Sequence, residues 1–261
     1  MRSLGIIPAR YESTRFRGKA LVDIMGKPMI QRVYEQAVAS DLDEVIIATD
    51  DDLIYDVAKQ FGGEVMMTSA EHRNGTERCI EVVELLRSEG HNFDVVVNVQ
   101  GDEPFVQPSQ INLLLTAFQD EVLKPNVATL IKKITTEEEL FNPNVVKVVA
   151  VQQFYTEIWD VLYFSRQAIP YLRGVERSKW VEEGTYYKHI GMYAFDAECL
   201  EEEIKELEPS PLEEMESLEQ LRWLEDHMVI SALVTEEETI GIDTPEDLER
   251  ALAWFKANQN R

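Results

Sequence analysis

The chain has 261 residues, enough for one sizeable α/β domain with a substantial apolar core. Its 49 acidic and 25 basic side chains give a formal net charge of −24, which repels nucleic-acid phosphates and anionic lipid surfaces. Two cysteines far apart in apolar or helical stretches predict free buried thiols rather than disulfides or a thiolate metal cluster. No apolar run is long enough to span a bilayer. The sequence therefore predicts a reducing, cytoplasmic location, with neither a nucleic-acid nor a membrane partner.

Short apolar runs alternate with amphipathic stretches in the first half of the chain. Strands are predicted at residues 4–8, 45–48, 65–67, 95–99 and 127–131. Helices are predicted between them at residues 29–40, 52–61, 76–88 and 109–119. This alternation predicts an α/β fold with a mainly parallel, buried sheet and helices on both faces.

The alternation loosens after residue 143. Strands are predicted at residues 145–151, 161–164 and 190–195, but long irregular links join them, and we expect residues 143–210 to form a small lobe. A helix at 211–226, a strand at 229–235 and a final helix follow. Thr244, Pro245 and Asp247 fit a capping box at the start of that last helix. With no repeat or flexible linker, residues 1–261 are predicted to be a single domain.

A basic loop follows the first predicted strand directly. Bases outnumber acids between residues 10 and 27, in a chain that is otherwise acidic: Arg10, Arg15, Arg17, Lys19 and Lys27 stand against Glu12 and Asp23. The loop therefore lies at the carboxyl edge of the predicted sheet, which is where open parallel sheets bind their ligands. The loop is neither a Walker A motif nor a dinucleotide fingerprint. Its cations could hold a triphosphate and stabilise a pyrophosphate leaving group, and a solvated basic loop is the alternative.

Two carboxylate positions follow short apolar segments. Asp102 and Glu103 come after the strand predicted at 95–99, and Asp243 ends a short apolar segment before the last helix. A carboxylate at a strand end beside a phosphate site can hold Mg²⁺ while leaving most coordination positions to water and phosphate oxygens. Asp102 is therefore the first candidate metal ligand and Asp243 the second. A Gly-Asp turn without metal, and a polar helix start, are the alternatives.

Eight short motifs occur in order along the chain. They are Ile-Pro-Ala-Arg-Tyr at 7–11, Ser-Thr-Arg-Phe at 13–16, Gly-Lys-Pro-Met-Ile-Gln at 26–31, Ala-Thr-Asp-Asp at 48–51, Asn-Val-Gln-Gly-Asp-Glu-Pro at 98–104, Lys-His-Ile-Gly at 188–191, Glu-Ser-Leu-Glu-Gln-Leu-Arg at 216–222 and Asp-Thr-Pro-Glu-Asp-Leu at 243–248. With them the chain resembles the 3-deoxy-manno-octulosonate (Kdo) cytidylyltransferase family over essentially its whole length.

The resemblance implies a fold, a reaction and partners. The fold would be Rossmann-like, of the nucleotide-diphospho-sugar transferase type, and the lobe at 143–210 would bind the sugar and form a homodimer. The reaction would transfer CMP from CTP to the anomeric hydroxyl of Kdo, a 2-keto-3-deoxy sugar acid. It would require Mg²⁺, release pyrophosphate and form CMP-Kdo for lipopolysaccharide biosynthesis.

The resemblance also implies the roles of individual residues. The catalytic residues would be Arg10, Lys19, Asp102 and Asp243, of which Asp102 and Asp243 would hold magnesium. The nucleotide would contact Pro8, Ala9, Arg10, Arg15, Lys19, Asn74, Gly75 and Gln100. The sugar acid would contact Arg78, Gln100, Arg166, His189, Tyr193, Glu216 and Gln220. His189 is expected to donate a hydrogen bond to the substrate, and no dedicated protein base is expected.

The chain departs from the family pattern in the basic loop and near residue 74. Arg17 and Ala20 stand where the family usually has prolines, which predicts a more mobile loop when no ligand is bound. Glu12 replaces a small residue and could offset Arg17. Asn74 and Glu77 replace the usual serine and aspartate, and Asn74 keeps a side-chain acceptor for the base.

Three other functions remain open on the sequence. The nearest is a cytidylyltransferase for another 2-keto-3-deoxy sugar acid, such as 8-amino-Kdo or a sialic acid. A transferase that uses UTP or GTP on a sugar phosphate would call for extra cationic positions in the second half, and few are present. A non-catalytic nucleotide-binding protein on the same scaffold is the third.

Overall fold

The computed structural model describes residues 1–12, 16–119 and 124–258, with side chains up to residue 253. Its backbone forms two compact units. The first comprises the described residues of Met1–Asn112 together with those from Glu238 onward, and the second comprises the described residues of Leu113–Glu237. The predicted lobe at 143–210 falls within the second unit.

The first unit is built on a parallel sheet. Its strands are β1 (Ser3–Ala9), β2 (Glu44–Thr49), β3 (Val65–Met67) and β4 (Val95–Asn98). They lie in the order β3-β2-β1-β4, and each neighbouring pair is parallel. Leu4, Ile6 and Ile7 of β1 are fully buried, as expected for a strand covered on both faces. Because the strands are parallel, the segments after β1 and β4 leave the sheet at the same edge, and the four strands predicted here are confirmed.

Helices follow the strands of the first unit. They are α1 (Met29–Val38), α2 (Asp52–Gln60), α3 (Gly75–Ser88), α4 (Pro108–Thr116), which runs past the boundary of the unit, and the last helix of the chain, α10 (Pro245–Asn258). Asp51 caps α2 by accepting from the backbone N–H groups of Leu53 and Ile54. Thr244 Oγ1 accepts from Asp247 N at 3.2 Å, and Asp247 Oδ2 accepts from Thr244 N at 2.9 Å. The predicted capping box is therefore confirmed.

The second unit contains a mixed set of strands. They are β5 (Val127–Lys133), β6 (Lys147–Gln152), β7 (Ile158–Ser165), β8 (Tyr187–Asp196) and β9 (Ile230–Val234). They pair in the order β8-β5-β9-β7-β6, and β6 also pairs with β8, so the first and last strands of this order are joined as well. Only β5 and β9 pair in parallel among these. The prediction of a mainly parallel sheet is thus right for the first unit and wrong for the second, where links as short as the β6–β7 turn permit only antiparallel pairing.

Five short helices belong to the second unit as far as the structure describes it. They are α5 (Glu137–Phe141), α6 (Trp180–Glu183), α7 (Ala197–Glu202), α8 (Pro211–Glu216) and α9 (Gln220–Glu225). The single helix predicted at 211–226 is wrong, because Ser217 adopts a left-handed conformation with φ 52° and separates α8 from α9. Apolar residues at helical spacing continue across the break, so periodicity could not reveal it.

Two predictions from composition can be compared with the structure. Cys79 and Cys199 are both buried thiols outside any disulfide, as predicted. Among the described helices, none has the length and apolar character needed to cross a membrane.

Candidate active site

The basic loop begins where β1 ends. Gly18 has φ 70°, a conformation that glycine adopts readily, and its N–H donates to Tyr11 O at 2.8 Å. This turn places Lys19 at the start of a short 3₁₀ helix. Arg17 forms an exposed ion pair with Glu12 at 2.6 Å, so the two departures from the family pattern do offset each other. Arg15, a predicted phosphate contact, lies outside the described residues.

Lys19 lies between the two predicted metal ligands. Its Nζ donates to Asp102 Oδ2 at 2.7 Å and to Asp243 Oδ1 at 2.9 Å. The side chain of Lys19 is 18% exposed, and those of Asp102 and Asp243 are 27% and 40% exposed. Both carboxylates therefore point at one position beside the basic loop while solvent still reaches them.

Backbone and apolar contacts hold the second carboxylate in place. Ile242 N donates to Asp102 O at 2.9 Å, which ties the segment before α10 to the turn after β4. The Ile242 side chain is fully buried in an apolar cluster with Ile24, Met29 and Phe105. The position of Asp243 thus depends on packing in the first unit and not on the ion pair alone.

The ion pairs and burial shift the protonation equilibria of this cluster. Burial lowers the pKa of Lys19, but the charges and hydrogen bonds of Asp102 and Asp243 outweigh it, and the net pKa is raised. Lys19 is accordingly charged at neutral pH. Burial, helped by the Asp102 carboxylate, raises the pKa of Glu103 to about 8, and its Oε2 is enclosed without a hydrogen-bond partner in the described part of the chain.

Close backbone packing shapes the floor of the site. A Cβ on Gly101 would lie 2.6 Å from Pro8 O, and one on Gly75 would lie 3.3 Å from both Pro8 Cγ and Asn98 Nδ2. The strand ends and the first turn of α3 are thus in contact, which brings Pro8 and Gly75, both predicted around the nucleotide, together with the turn that follows Gln100. Ala9, the last residue of β1, is buried.

Two amide side chains near this floor have surroundings that the sequence analysis did not predict. Asn74 Oδ1 caps α3 by accepting from Glu77 N at 2.9 Å, so one lone pair of the acceptor expected to meet the base already serves the helix. Asn98, which the sequence analysis did not single out, is 2% exposed, and its Oδ1 has no hydrogen-bond partner among the described residues. A polar residue at the end of an apolar strand is the signal that could have identified it.

Two guanidinium groups lie near each other in the first unit. Arg10 donates to the backbone oxygen of His72. Arg78 is fully buried, contacts Thr68 Oγ1, and donates to Asp50 Oδ2 at 3.2 Å. Burial lowers the pKa of Arg78, and the charge of nearby Arg10 lowers it further, against the opposing effect of Asp50. Two neighbouring cations of which only one pairs with a carboxylate, the half-buried Asp50, are suited to an anionic ligand. Asp50 and Thr68 were not predicted.

Two predicted sugar contacts lie together in the second unit, and a third is buried there. His189 and Tyr193 of β8 have ring centroids 5.2 Å apart, and Phe164 meets His189 edge-on at 5.2 Å. Gln220, the first residue of α9, is 4% exposed. Burial raises the pKa of Tyr193 well above its usual range, so its hydroxyl remains protonated.

Arg166 and Glu216 make structural hydrogen bonds. The Arg166 guanidinium donates to the backbone oxygens of Glu216, Pro143 and Ser217 at 2.6, 3.2 and 3.2 Å. The Glu216 carboxylate accepts from Ser165 Oγ at 2.6 Å and from Arg166 N at 2.9 Å. Arg166 therefore stabilises the break between α8 and α9, and only its remaining N–H groups are left for a ligand.

The donor set in the first unit fits a magnesium ion. Asp102 and Asp243 supply hard oxygen ligands that already converge on one ammonium group. No group of three or more His, Cys, Asp or Glu side chains suited to a metal occurs among the described residues. Two carboxylates suit Mg²⁺, which is usually held by one or two of them and completes its coordination with water and substrate phosphates.

A parallel sheet whose carboxyl edge carries a cationic loop and two convergent carboxylates defines an α/β nucleotidyltransferase. The sequence profile of the family described as cytidylyltransferase matches residues 4–233. A 3-deoxy-manno-octulosonate cytidylyltransferase of Parabacteroides distasonis is 52% identical over 99% of this chain and 100% of that protein. The 3-deoxy-manno-octulosonate cytidylyltransferase of Bacteroides thetaiotaomicron is 50% identical over 98% of this chain and 99% of that protein.

A solved structure is also similar over nearly the whole chain. It is CMP:2-keto-3-deoxy-manno-octonic acid synthetase complexed with CTP, with 38% identity, a TM-score of 0.86, and coverage of 98% of this chain and 99% of that one. The chain belongs to the 3-deoxy-manno-octulosonate cytidylyltransferase family.

Proposed function

We propose that the protein transfers CMP from CTP to the anomeric hydroxyl of Kdo, with release of pyrophosphate, and so forms CMP-Kdo for lipopolysaccharide biosynthesis. The observation that carries this proposal is the convergence of Asp102 and Asp243 on the ammonium of Lys19. Relatives named for this reaction, at up to 52% identity over almost the whole chain, support the choice of CTP and Kdo.

The reaction is an in-line displacement at phosphorus. The anomeric oxygen of the sugar acid forms a bond to the α-phosphorus of CTP, and the bond from that phosphorus to the β-phosphate oxygen breaks. The hydroxyl proton is lost to solvent, and pyrophosphate leaves with the electron pair. Lys19 and Arg10 bind the phosphates and stabilise the negative charge that develops on the leaving group.

Asp102 and Asp243 would hold Mg²⁺ for this reaction. The bound ion would lower the pKa of the attacking hydroxyl and neutralise charge on the α-phosphate, so no protein base is needed. The two carboxylates also keep Lys19 charged and oriented before the nucleotide arrives. Its long flexible stem allows the ammonium group to move from the carboxylates to a phosphate oxygen.

The setting of this reaction is part of the proposal. We propose that the protein is a cytoplasmic homodimer, as the resemblance to the family implies. Size-exclusion chromatography with light scattering measures the oligomeric state directly.

Pyrophosphate release with each of the four nucleoside triphosphates, with and without Kdo, tests the proposed reaction. Release with CTP only in the presence of Kdo supports it. Turnover of CTP with a sialic acid or 8-amino-Kdo, but not with Kdo, would assign another sugar acid. Release with UTP or GTP and a sugar phosphate would contradict the proposal, and binding of CTP without any turnover would identify a non-catalytic nucleotide-binding protein.

A further inference from the structure

Thr129 of β5 lies beneath an irregularity in β8. Thr129 is opposite Tyr193 whereas its neighbour Leu130 is opposite Ile190, so Gly191 and Met192 form a bulge with no partners of their own in β5. The bulge brings backbone oxygens of β8 onto the Thr129 hydroxyl. Thr129 Oγ1 is 2.8 Å from Met192 O and 3.4 Å from Ile190 O.

The same hydroxyl contacts the ring of His189. Thr129 Oγ1 lies 2.8 Å from His189 Nε2. A hydroxyl has one proton to donate, and a carbonyl oxygen can only accept. Thr129 is fully buried, so water cannot compensate for a lost hydrogen bond. The arrangement that satisfies every atom has Thr129 donating to Met192 O and accepting from a proton on Nε2.

We propose that Thr129 is a positioning residue that fixes His189 as the Nε2–H tautomer, so that Nδ1 presents a lone pair to a hydroxyl group of the sugar acid. This inference rests on the proposed function for the identity of the ligand, but not for the tautomer. It reverses the role expected from the sequence, in which His189 donates to the substrate.

The surroundings of His189 support a neutral ring in a fixed orientation. Burial lowers the pKa of His189 to about 3, which keeps the imidazole uncharged at neutral pH. Phe164 and Tyr193 pack against the ring, each with centroids 5.2 Å away. His189 is half-buried, and its Nδ1 makes no hydrogen bond to a described residue, which leaves this nitrogen for a ligand.

An acceptor at this position selects how the sugar acid binds. An unprotonated nitrogen accepts from a hydroxyl and repels a carboxylate oxygen. His189 therefore contacts the polyhydroxyl part of the substrate, and the carboxylate binds elsewhere. An analogue that lacks the contacted hydroxyl leaves Nδ1 unpaired and binds less tightly.

The tautomer can be measured without any assay of activity. We expect the ¹⁵N–¹H long-range spectrum of the histidine rings to show His189 protonated at Nε2 and not at Nδ1, with His189→Gln identifying its signals. In Thr129→Val, which keeps the shape of the side chain but loses the hydroxyl, the tautomers should become mixed, and Thr129→Ser should restore the native pattern. A wild-type ring protonated at Nδ1, or at both nitrogens, at neutral pH would overturn the inference.

Kinetics then tests the contact with the sugar. Thr129→Val should raise KM for Kdo on the order of tenfold, the effect of one hydrogen bond, while KM for CTP stays within about twofold. Thr185→Val, at an exposed position of the second unit, is the control and should change neither. A Thr129→Val enzyme of native thermal stability with an unchanged KM for Kdo would contradict the contact. A normal tautomer spectrum in a protein that does not use Kdo would instead contradict the proposed function alone.

Discussion

Lys19 Nζ lies 2.9 Å from Asp243 Oδ1, although 224 positions separate the two residues in the chain. Asp102 shares the same ammonium group. In the proposed reaction, this cation and the two carboxylates from remote segments would bind the triphosphate and its metal, and each of the three side chains can be tested by substitution.

Asp102→Asn should abolish most turnover and leave the fold intact. The substitution removes a carboxylate from a partly exposed turn and keeps its size. Turnover with CTP and Kdo is expected to fall on the order of 100-fold or more, because charge stabilisation at the phosphate is lost. Steady-state kinetics and thermal unfolding measure the two effects. Asp56→Asn, at an exposed position of α2, is the matched control, and near-native turnover of Asp102→Asn would exclude the metal role.

Lys19→Ala should weaken the handling of the triphosphate. The ammonium group pairs with both carboxylates, and its loss should raise the apparent KM for CTP by about tenfold or more and lower turnover. Lys59→Ala removes a lysine whose ion pair with Glu64 spans 3.7 Å on the surface, and it should have no effect. Unchanged CTP affinity and turnover in Lys19→Ala would show that the basic loop is not the phosphate site.

Gly101→Ala should disturb the turn that carries Asp102. The added Cβ would lie 2.6 Å from Pro8 O, a backbone atom that cannot move aside cheaply. We expect a loss of about 1–3 kcal/mol in the free energy of unfolding, together with reduced turnover. Gly241→Ala is the control, since its Cβ would meet nothing within 4 Å. Urea unfolding compares the two variants, and equal stabilities would refute the close packing of β1 against this turn.

His189 should make stability depend on pH. Its pKa is about 3 in the folded protein and about 6.5 when unfolded, so between these values the unfolded chain binds a proton that the folded chain does not. The free energy of unfolding should therefore decrease as the pH falls below about 6.5, by at most about 1.4 kcal/mol per pH unit from this group. His189→Gln lacks the contribution. Urea unfolding at about pH 7, 6 and 5 measures the free energy of unfolding, which should fall less steeply with decreasing pH in the variant than in the wild type. An equal pH dependence of the two proteins would contradict the burial of the ring.

The parts of the fold that depend on local signals could be predicted from the sequence. Apolar runs of three to five residues marked β1 to β5, and Thr244 with Asp247 marked the start of α10, because each signal lies within a few positions of its effect. The break at Ser217 could not be predicted in the same way. It is stabilised by Arg166, about fifty positions earlier, and the apolar spacing continues across it.

Only part of the candidate site could be predicted from the sequence. Asp102, Asp243 and Lys19 could be named from their positions after apolar segments and from the resemblance, and the structure brings these three together. Their direct ion pairing could not be foreseen, since nothing local links them. Thr129 was missed for a related reason: its role depends on a bulge in a strand sixty positions away, and a threonine within an apolar strand is ordinary.

The hydrogen bond from Ile242 to Asp102 has a consequence for synthesis of the protein. During translation the ribosome produces the basic loop and the Asp102 turn well before it reaches the segment that completes the acidic pair. A nascent chain stopped short of residue 242 would carry a cationic loop with a single carboxylate, and it would lack Ile242 and Ala251 from the apolar cluster beneath the site. Prematurely terminated products should thus be unable to consume CTP, because half of the acidic pair and part of its apolar support are missing.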